Sequence, residues 1–365
     1  MRIVIAAISF CEYIIQQANS LAALGHEVLF VLPSPLIRAT VGDALESLLH
    51  ERVAVLACDE QRPWKRGYYQ YPLREISRFD PDVIHVHENG EMLTFALMLR
   101  FWTKPTIVTI HDVTLHPGAD SLMKSRRKII RMLLRRRANV IHVHGVAPLR
   151  KFKHLHPGMT NKVRIIPHGT LSLFTHWANE KVGREALTCL FFGRMEKYRG
   201  LDNLMLVGEG LKKTLPGVRI VVAGRGTELE KFKVAMEVLG IFEIHDRFIP
   251  NSEVHRFFRR ASCVLMPYHE ASQSGIVAMA LPFGVPIVAT NVGAICETVH
   301  DGIHGRIVPV GDMASFIEAT VDILTKRQRW MKMAEACINL SRSLSFESLA
   351  PSFEKLYRQA IGSAA

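Results

Sequence analysis

CVLMPYHEASQSGIVAMALPFGVPIVATNVGAICETVHDGIHGRIVPVGD, residues 263–312, carries the reading of the whole chain. It opens on the apolar run Cys263–Met266, which stops at Pro267 and predicts a short buried strand ending in a turn. A small polar loop leads through Ser274 and Gly275 into the apolar segment Ile276–Leu281. A second strand is expected over Val285–Ala289, and Gly293 then breaks the chain again. Strand, loop and helix start leave a group of free backbone N–H donors, an arrangement that suits a phosphate.

Taken in order and at these spacings, the string resembles the donor half of retaining glycosyltransferases of family 4. The stretches that carry the likeness are GVPIVAT (284–290), GAICE (293–297) and DGIHGRIVP (301–309). It continues through LAALGHEVLFVLP (21–33), PDVIHVHE (81–88), TIHDV (109–113), RIIPHG (164–169), LFFGRMEKYRGLDNL (190–204) and VRIVVAGRG (218–226). The resemblance implies an α/β protein of the GT-B fold, two Rossmann-like domains facing across a cleft. It assigns an acceptor-side domain to 1–170, a nucleotide-sugar donor domain to 171–345, and a C-terminal helix over 346–365 that packs back on the first domain. The segment 164–185 lacks helical periodicity and contains Pro167 and Gly169, so the interdomain linker is placed there.

Composition agrees with two α/β domains. The chain has 365 residues, 48% of them hydrophobic, enough for two separate cores. No stretch approaches the ~20 apolar residues that span a bilayer. The run Ile3–Ile8 is too short for a signal peptide and reads as a buried strand. Six cysteines without CxxC spacing argue against zinc and for reduced thiols in a cytoplasmic protein. Much of the formal net charge of +12 sits in Ser121–Asn139. On a helix Lys124, Arg127, Lys128, Arg131 and Arg135 share one face, with Ile129, Ile130 and Leu133 roughly opposite. The expectation is a helix packed by its apolar stripe whose basic face meets an anionic membrane surface. Relatives that use lipid-linked acceptors through a basic N-domain surface point the same way. Nucleic acid is excluded as a partner, because no recognition motif accompanies the basic run and aromatics are scarce around it.

Two arginines follow the strand LTCLFF: Arg194, directly after Gly193, and Arg199 in the next turn. Fixed cations there would stabilise a departing nucleoside diphosphate, and relatives carry Arg and Lys at these points. In the family two glutamates with seven residues between them face the transferred sugar and the ribose. Here Glu270 matches the first, but the second position falls on Ala278 or Met279, so the chain resembles a variant branch. In the loop Glu270–Ala271–Ser272–Gln273, Ser274 with the N–H groups of Gly275 and Ile276 is expected to hold the diphosphate. Glu297 is a candidate for the ribose, and Gly224, Phe248 and Ile249 complete the expected donor site. The TIHD context makes His111 a candidate to reach the donor sugar, with His116 shortly after it. The first loop, SFCEYI (9–14), lacks the glycine pair of relatives, so Glu12 and His116 are the acceptor-side candidates.

No metal is expected. The pairs His85/His87 and His142/His144 have strand spacing, but nothing in the sequence supplies a third and fourth ligand. Asp80–Pro81–Asp82 reads as a helix-to-strand turn. No cofactor is expected beyond the nucleoside-diphosphate sugar itself. The sequence thus predicts a retaining, metal-independent transferase that moves a hexose to a hydroxyl of a glycan or lipid-linked acceptor, in polysaccharide or glycoconjugate biosynthesis. The alternative is a catalytically inactive GT-B protein that binds sugar nucleotides.

Overall fold

The computed structural model describes residues 1–58, 69–114, 125–178, 182–271 and 274–363. Of the expected site residues, His116, Lys124, Ser272 and Gln273 lie outside the described residues. The chain divides into two compact units. The first comprises Met1–Val113, Leu122–Gly169 and Phe346–Ala365. The second is centred on Thr170–Ser345.

The first unit holds seven strands: β1 (Arg2–Ala6), β2 (Glu27–Pro33), β3 (Val53–Cys58), β4 (Val83–His87), β5 (Thr106–Ile110), β6 (Val140–Val143) and β7 (Val163–Ile165). They pair in parallel in the order β3-β2-β1-β4-β5-β6-β7. Strands β1, β4, β5 and β6 are almost wholly buried, as parallel strands covered on both faces by crossover helices must be. The helix Phe346–Gly362 joins this unit and buries Phe346, Phe353, Leu356 and Tyr357, each contributing about 1.5–3 kcal/mol of transfer free energy.

The second unit holds β8 (Thr188–Phe192), β9 (Arg219–Ala223), β10 (Phe242–His245), β11 (Cys263–Met266), β12 (Ile287–Thr290) and β13 (Gly305–Val308). All pairs are parallel, in the order β10-β9-β8-β11-β12-β13. Strand order reverses beside β8, and ligands of open α/β sheets bind outside the strand ends at such a point. In the first unit the equivalent reversal lies beside β1.

Two sequence expectations are corrected here. By its sequence Asp246–Ile249 reads as a strand, like the other short runs that alternate with helices, but β10 ends at His245 and 246–250 form a loop. Gly240, at φ +74, ends the preceding helix early enough for the edge strand to start at Phe242. The linker was placed from residue 164, yet Arg164 and Ile165 still pair with β6, so the sheet runs further than the loss of helical periodicity indicated.

Candidate functional site

In the second unit, the ends of β8, β9 and β10 surround a cavity of about 870 Å³. Its wall includes Gly193, Arg194, Gly224, Arg225, Phe248 and Ile249. The carboxylates of Glu196, Glu230 and Asp246 line it as well. Backbone packing here is too tight for side chains: a Cβ on Gly224, whose φ is +142, would stand 1.9 Å from Gly193 O. Only glycine fits where two strand-end loops approach that closely. Phe248 is 49% exposed, and the Arg225 guanidinium lies 5.9 Å from its ring centroid. A flat cation and a flat ring at the mouth of a polar cavity can receive a planar heterocycle.

Arg199 is more deeply placed than Arg194. Its Nη1 donates to Phe192 O at 2.9 Å and to Tyr268 Oη at 3.1 Å, while its buried Nε has no partner. Tyr268 thus ties the arginine to the end of β11, from which the loop to Ser274 departs. Ser274 caps the helix Gly275–Ala280 and its Oγ accepts from Ile276 N at 3.2 Å. That N–H is therefore engaged within the turn. Glu270, on the same loop, is half-buried.

In the first unit, five buried histidines, His85, His87, His111, His142 and His144, stand on or just after β4, β5 and β6, and half-buried His168 lies in the loop after β7. One hydrogen-bonded row runs from Tyr357 Oη to His85 Nδ1, from His85 Nε2 to Thr109 Oγ1, on to His142 Nδ1, and from His142 Nε2 to Ile166 O. A carbonyl only accepts, so His142 donates through Nε2 and accepts at Nδ1 from Thr109. Thr109 then accepts from His85, and His85 accepts from Tyr357. Every tautomer is set, and every ring is neutral.

A second row joins Gln17 Oε1 to His87 Nε2 at 3.3 Å, His87 Nδ1 to His111 Nε2 at 2.9 Å, and His111 Nδ1 to His144 Nε2 at 3.3 Å. With Gln17 accepting, the same count leaves His144 Nδ1 as a bare acceptor, and that buried atom has no partner. Burial pushes the pKa of all six rings down, to about 4 for His142 and His168. His111 thus sits at a strand end as a neutral imidazole, buried, with both nitrogens engaged.

The turn after His111 is held by ions. Glu88, its side chain 1% exposed, takes Arg131 Nε at 2.8 Å and Arg135 Nε at 2.6 Å. Arg131 also donates to Asp112 O and Arg135 to Val113 O. Two members of the expected membrane-facing set are therefore corrected: Arg131 and Arg135 point inward, because a buried carboxylate requires cations beside it. Arg127 pairs with Glu91. The helix Ser125–Arg137 packs through Ile130 and Leu134, whereas Ile129, assigned to the packing stripe, is 53% exposed. Its outward face carries Arg126, Lys128, Ile129, Met132 and Arg136.

Residues 12–170 match the family described as Glycosyltransferase Family 4, and residues 186–326 match Glycosyl transferases group 1. The chain belongs to glycosyltransferase family 4. It is a nucleotide-sugar-dependent glycosyltransferase. A phosphatidyl-myo-inositol mannosyltransferase of Mycolicibacterium smegmatis is 26% identical over 330 residues, covering 87% of this chain and 81% of the relative. Among solved structures, a sucrose-phosphate synthase from Thermosynechococcus elongatus superposes with a TM-score of 0.73 at 15% identity, covering all of both chains. Anabaena HepE in complex with UDP and glucose gives 0.70 at 14% identity, over 97% of this chain and 98% of that one. These likenesses give the fold as GT-B.

Set against the site expected for a glycosyltransferase, the cavity gathers Gly193, Arg194, Gly224, Phe248 and Ile249. Glu297 is not among the residues lining it; it is exposed in the first turn of the short helix Ile295–Thr298. Glu12 lies in the first turn of the helix Cys11–Ala23. Sequence reasoning missed Arg225, Glu230, Tyr268 and the Glu88 clamp. The GRG in VRIVVAGRG held a signal for Arg225, since it directly follows the strand-ending glycine. Among the described residues no three acidic, His or Cys side chains form a metal-holding group, and no helix is long and apolar enough to cross a membrane.

Proposed function

We propose that this glycosyltransferase moves a hexose from a nucleoside-diphosphate sugar to a hydroxyl of a glycan or lipid-linked acceptor, with retention and without a metal. The observation that carries the donor assignment is the cavity at the ends of β8 to β10. It combines glycine-lined backbone, the Arg194 cation and the Arg225–Phe248 pair. UDP in the Anabaena HepE complex is consistent with a nucleoside diphosphate as the donor carrier. In this reading the base lies against Phe248, and Arg194 with Arg199 stabilises the leaving diphosphate as negative charge builds on it. The Ser274 turn accepts a phosphate once the Ser274 hydroxyl releases Ile276 N. Glu270 positions the sugar. A carboxylate in the cavity wall, rather than Glu297, takes the ribose hydroxyls. No protein nucleophile and no cofactor take part.

The test is a thermal-shift panel of UDP, GDP and ADP on wild type and Arg194→Ala. A nucleotide at about 100 times its Kd adds ~2.7 kcal/mol of stability. One nucleotide should shift wild type and fail to shift the variant. No shift with any of them would favour the inactive-binder alternative only if sugar nucleotides still bound by calorimetry; without that binding the donor assignment fails altogether.

The lipid-linked branch of the reading uses the outward face of Ser125–Arg137, where Ile129 and Met132 stand among Arg126, Lys128 and Arg136. The protein should float with phosphatidylglycerol vesicles and not with phosphatidylcholine vesicles. Ile129→Glu should abolish flotation without lowering the melting temperature. Unchanged flotation of that variant would remove the helix from the membrane surface.

A further inference from the structure

Phe10 occupies a position that local energetics give to another residue. It precedes the helix Cys11–Ala23 at φ 64, ψ 40, a left-handed conformation, and its side chain makes no capping hydrogen bond. Glycine, asparagine or serine would suit such a site better, for both backbone and cap. Core burial does not explain the exception, because Phe10 is 41% exposed. One face of its ring lies on His111, with centroids 3.9 Å apart and planes 26° apart. His87 stacks behind His111 at 5.2 Å, and His85 behind His87 at 4.9 Å. The column of rings is thus anchored in the core and ends in an aromatic face open to solvent. That face stands in the loop after β1, at the strand-order reversal of the first sheet, where ligands of such sheets bind.

We propose that the open face of Phe10 is a stacking platform for the pyranose ring of the acceptor, which makes Phe10 a specificity-determining residue on the acceptor side. The chemistry is that of a sugar's C–H face on an aromatic ring. The column beneath fixes the ring's plane, so little side-chain entropy is lost when a sugar settles on it. Glu12, two residues on and in the helix's first turn, places a carboxylate near enough in sequence to meet hydroxyls at the rim of such a sugar. The strained backbone at Phe10 is retained because a glycine there would lose the platform. The proposal rests on the reading of the first unit as the acceptor side, and it is independent of which nucleotide the second unit holds.

The test uses the full chain without donor, with methyl α-D-glucopyranoside, methyl α-D-galactopyranoside and methyl α-D-mannopyranoside as probes in saturation-transfer NMR. Four proteins are compared: wild type, Phe10→Trp, Phe10→Leu and Phe10→Gly. Phe10→Leu keeps an apolar cover over His111 but has no aromatic face, and Phe10→Gly relieves the backbone strain. At least one probe should be saturated through the hydrogens of one ring face in wild type and Phe10→Trp. That signal should fall about fivefold or more in the leucine and glycine variants. Phe10→Gly should melt at or a few degrees above wild type, so lost contact cannot be ascribed to unfolding. Equal saturation in wild type and Phe10→Leu would overturn the proposal, as would no saturation in wild type and Phe10→Trp. Lower melting temperatures in the leucine and glycine variants with unchanged saturation would make the ring a structural cover, and would overturn it too. The nucleotide panel on Arg194→Ala reads the donor assignment separately, so failure of either can be told from failure of the other.

Discussion

Moving this glycosyltransferase from about pH 7.5 to about pH 5 should cost the first unit on the order of 4 kcal/mol of stability from two histidines alone. Burial holds His142 and His168 at about 4, against 6.5 in the unfolded chain. Below 6.5 the unfolded state therefore binds more protons than the folded one. The stability is fully present above that value and is lost as pH falls toward the folded values, about 2 kcal/mol per group by pH 5. His85, His87, His111 and His144 are shifted the same way, so they steepen the loss. The hydrogen-bond rows give a second reason beyond desolvation. In the second row, where ring meets ring, protonating His87 or His111 would set two ring N–H donors against each other. Urea unfolding across this range, with hydrogen exchange of β4, β5 and β6 to localise it, reads the effect. A flat urea midpoint, or exchange in these strands that stays as slow at the lower pH after correction for intrinsic rates, would remove the argument.

How much of this was legible depended on whether the cause was local. Strands such as β8, β11 and β12 declare themselves because they are buried along their whole length and almost entirely apolar. The edge strand β10 does not: FEIH is half-buried along its whole length, and its alternation looks like that of the loop beyond it. Phe248 was placed in the donor site although the strand assigned to it was wrong, because a residue can line a cavity from the loop as well as from the strand end. The histidine rows were not legible. His85, Thr109 and His142 meet only because β4, β5 and β6 pair in the register that puts His87 against Thr109 and Thr109 against His142. Single-sequence reading sees each histidine alone, and a lone histidine on a strand is ordinarily core or surface. Phe10 was visible as the absence of glycine in SFCEYI, but its left-handed backbone and its stack on His111 were not. The basic face of Ser125–Arg137 was misread for a related reason. Helical angles group Arg127, Arg131 and Arg135, yet a carboxylate 43 and 47 residues upstream decides that the last two turn inward.

That carboxylate should be the most damaging single position to truncate in the first unit. Glu88→Ala removes the carboxylate that pairs with both Arg131 and Arg135, whose side chains are 12% and 7% exposed. Breaking a buried pair from one side costs about 3–5 kcal/mol, because it leaves cations that cannot return to water. The damage should also reach His111, since the same two arginines hold the carbonyls of Asp112 and Val113 directly after it. Urea unfolding measures the first effect, and hydrogen exchange at the end of β5 measures the second. A loss below about 1 kcal/mol would place the clamp in the class of exposed ion pairs and defeat the reading. The cost of Glu88→Ala is not the net worth of the clamp, however. Replacing all three members together, by Glu88→Leu, Arg131→Met and Arg135→Leu, removes the desolvated charges along with their attraction. That triple variant should recover much of the stability while leaving the turn after His111 without its two donors. Stability regained without restored protection at β5 would separate what the clamp does for folding from what it does for the position of His111.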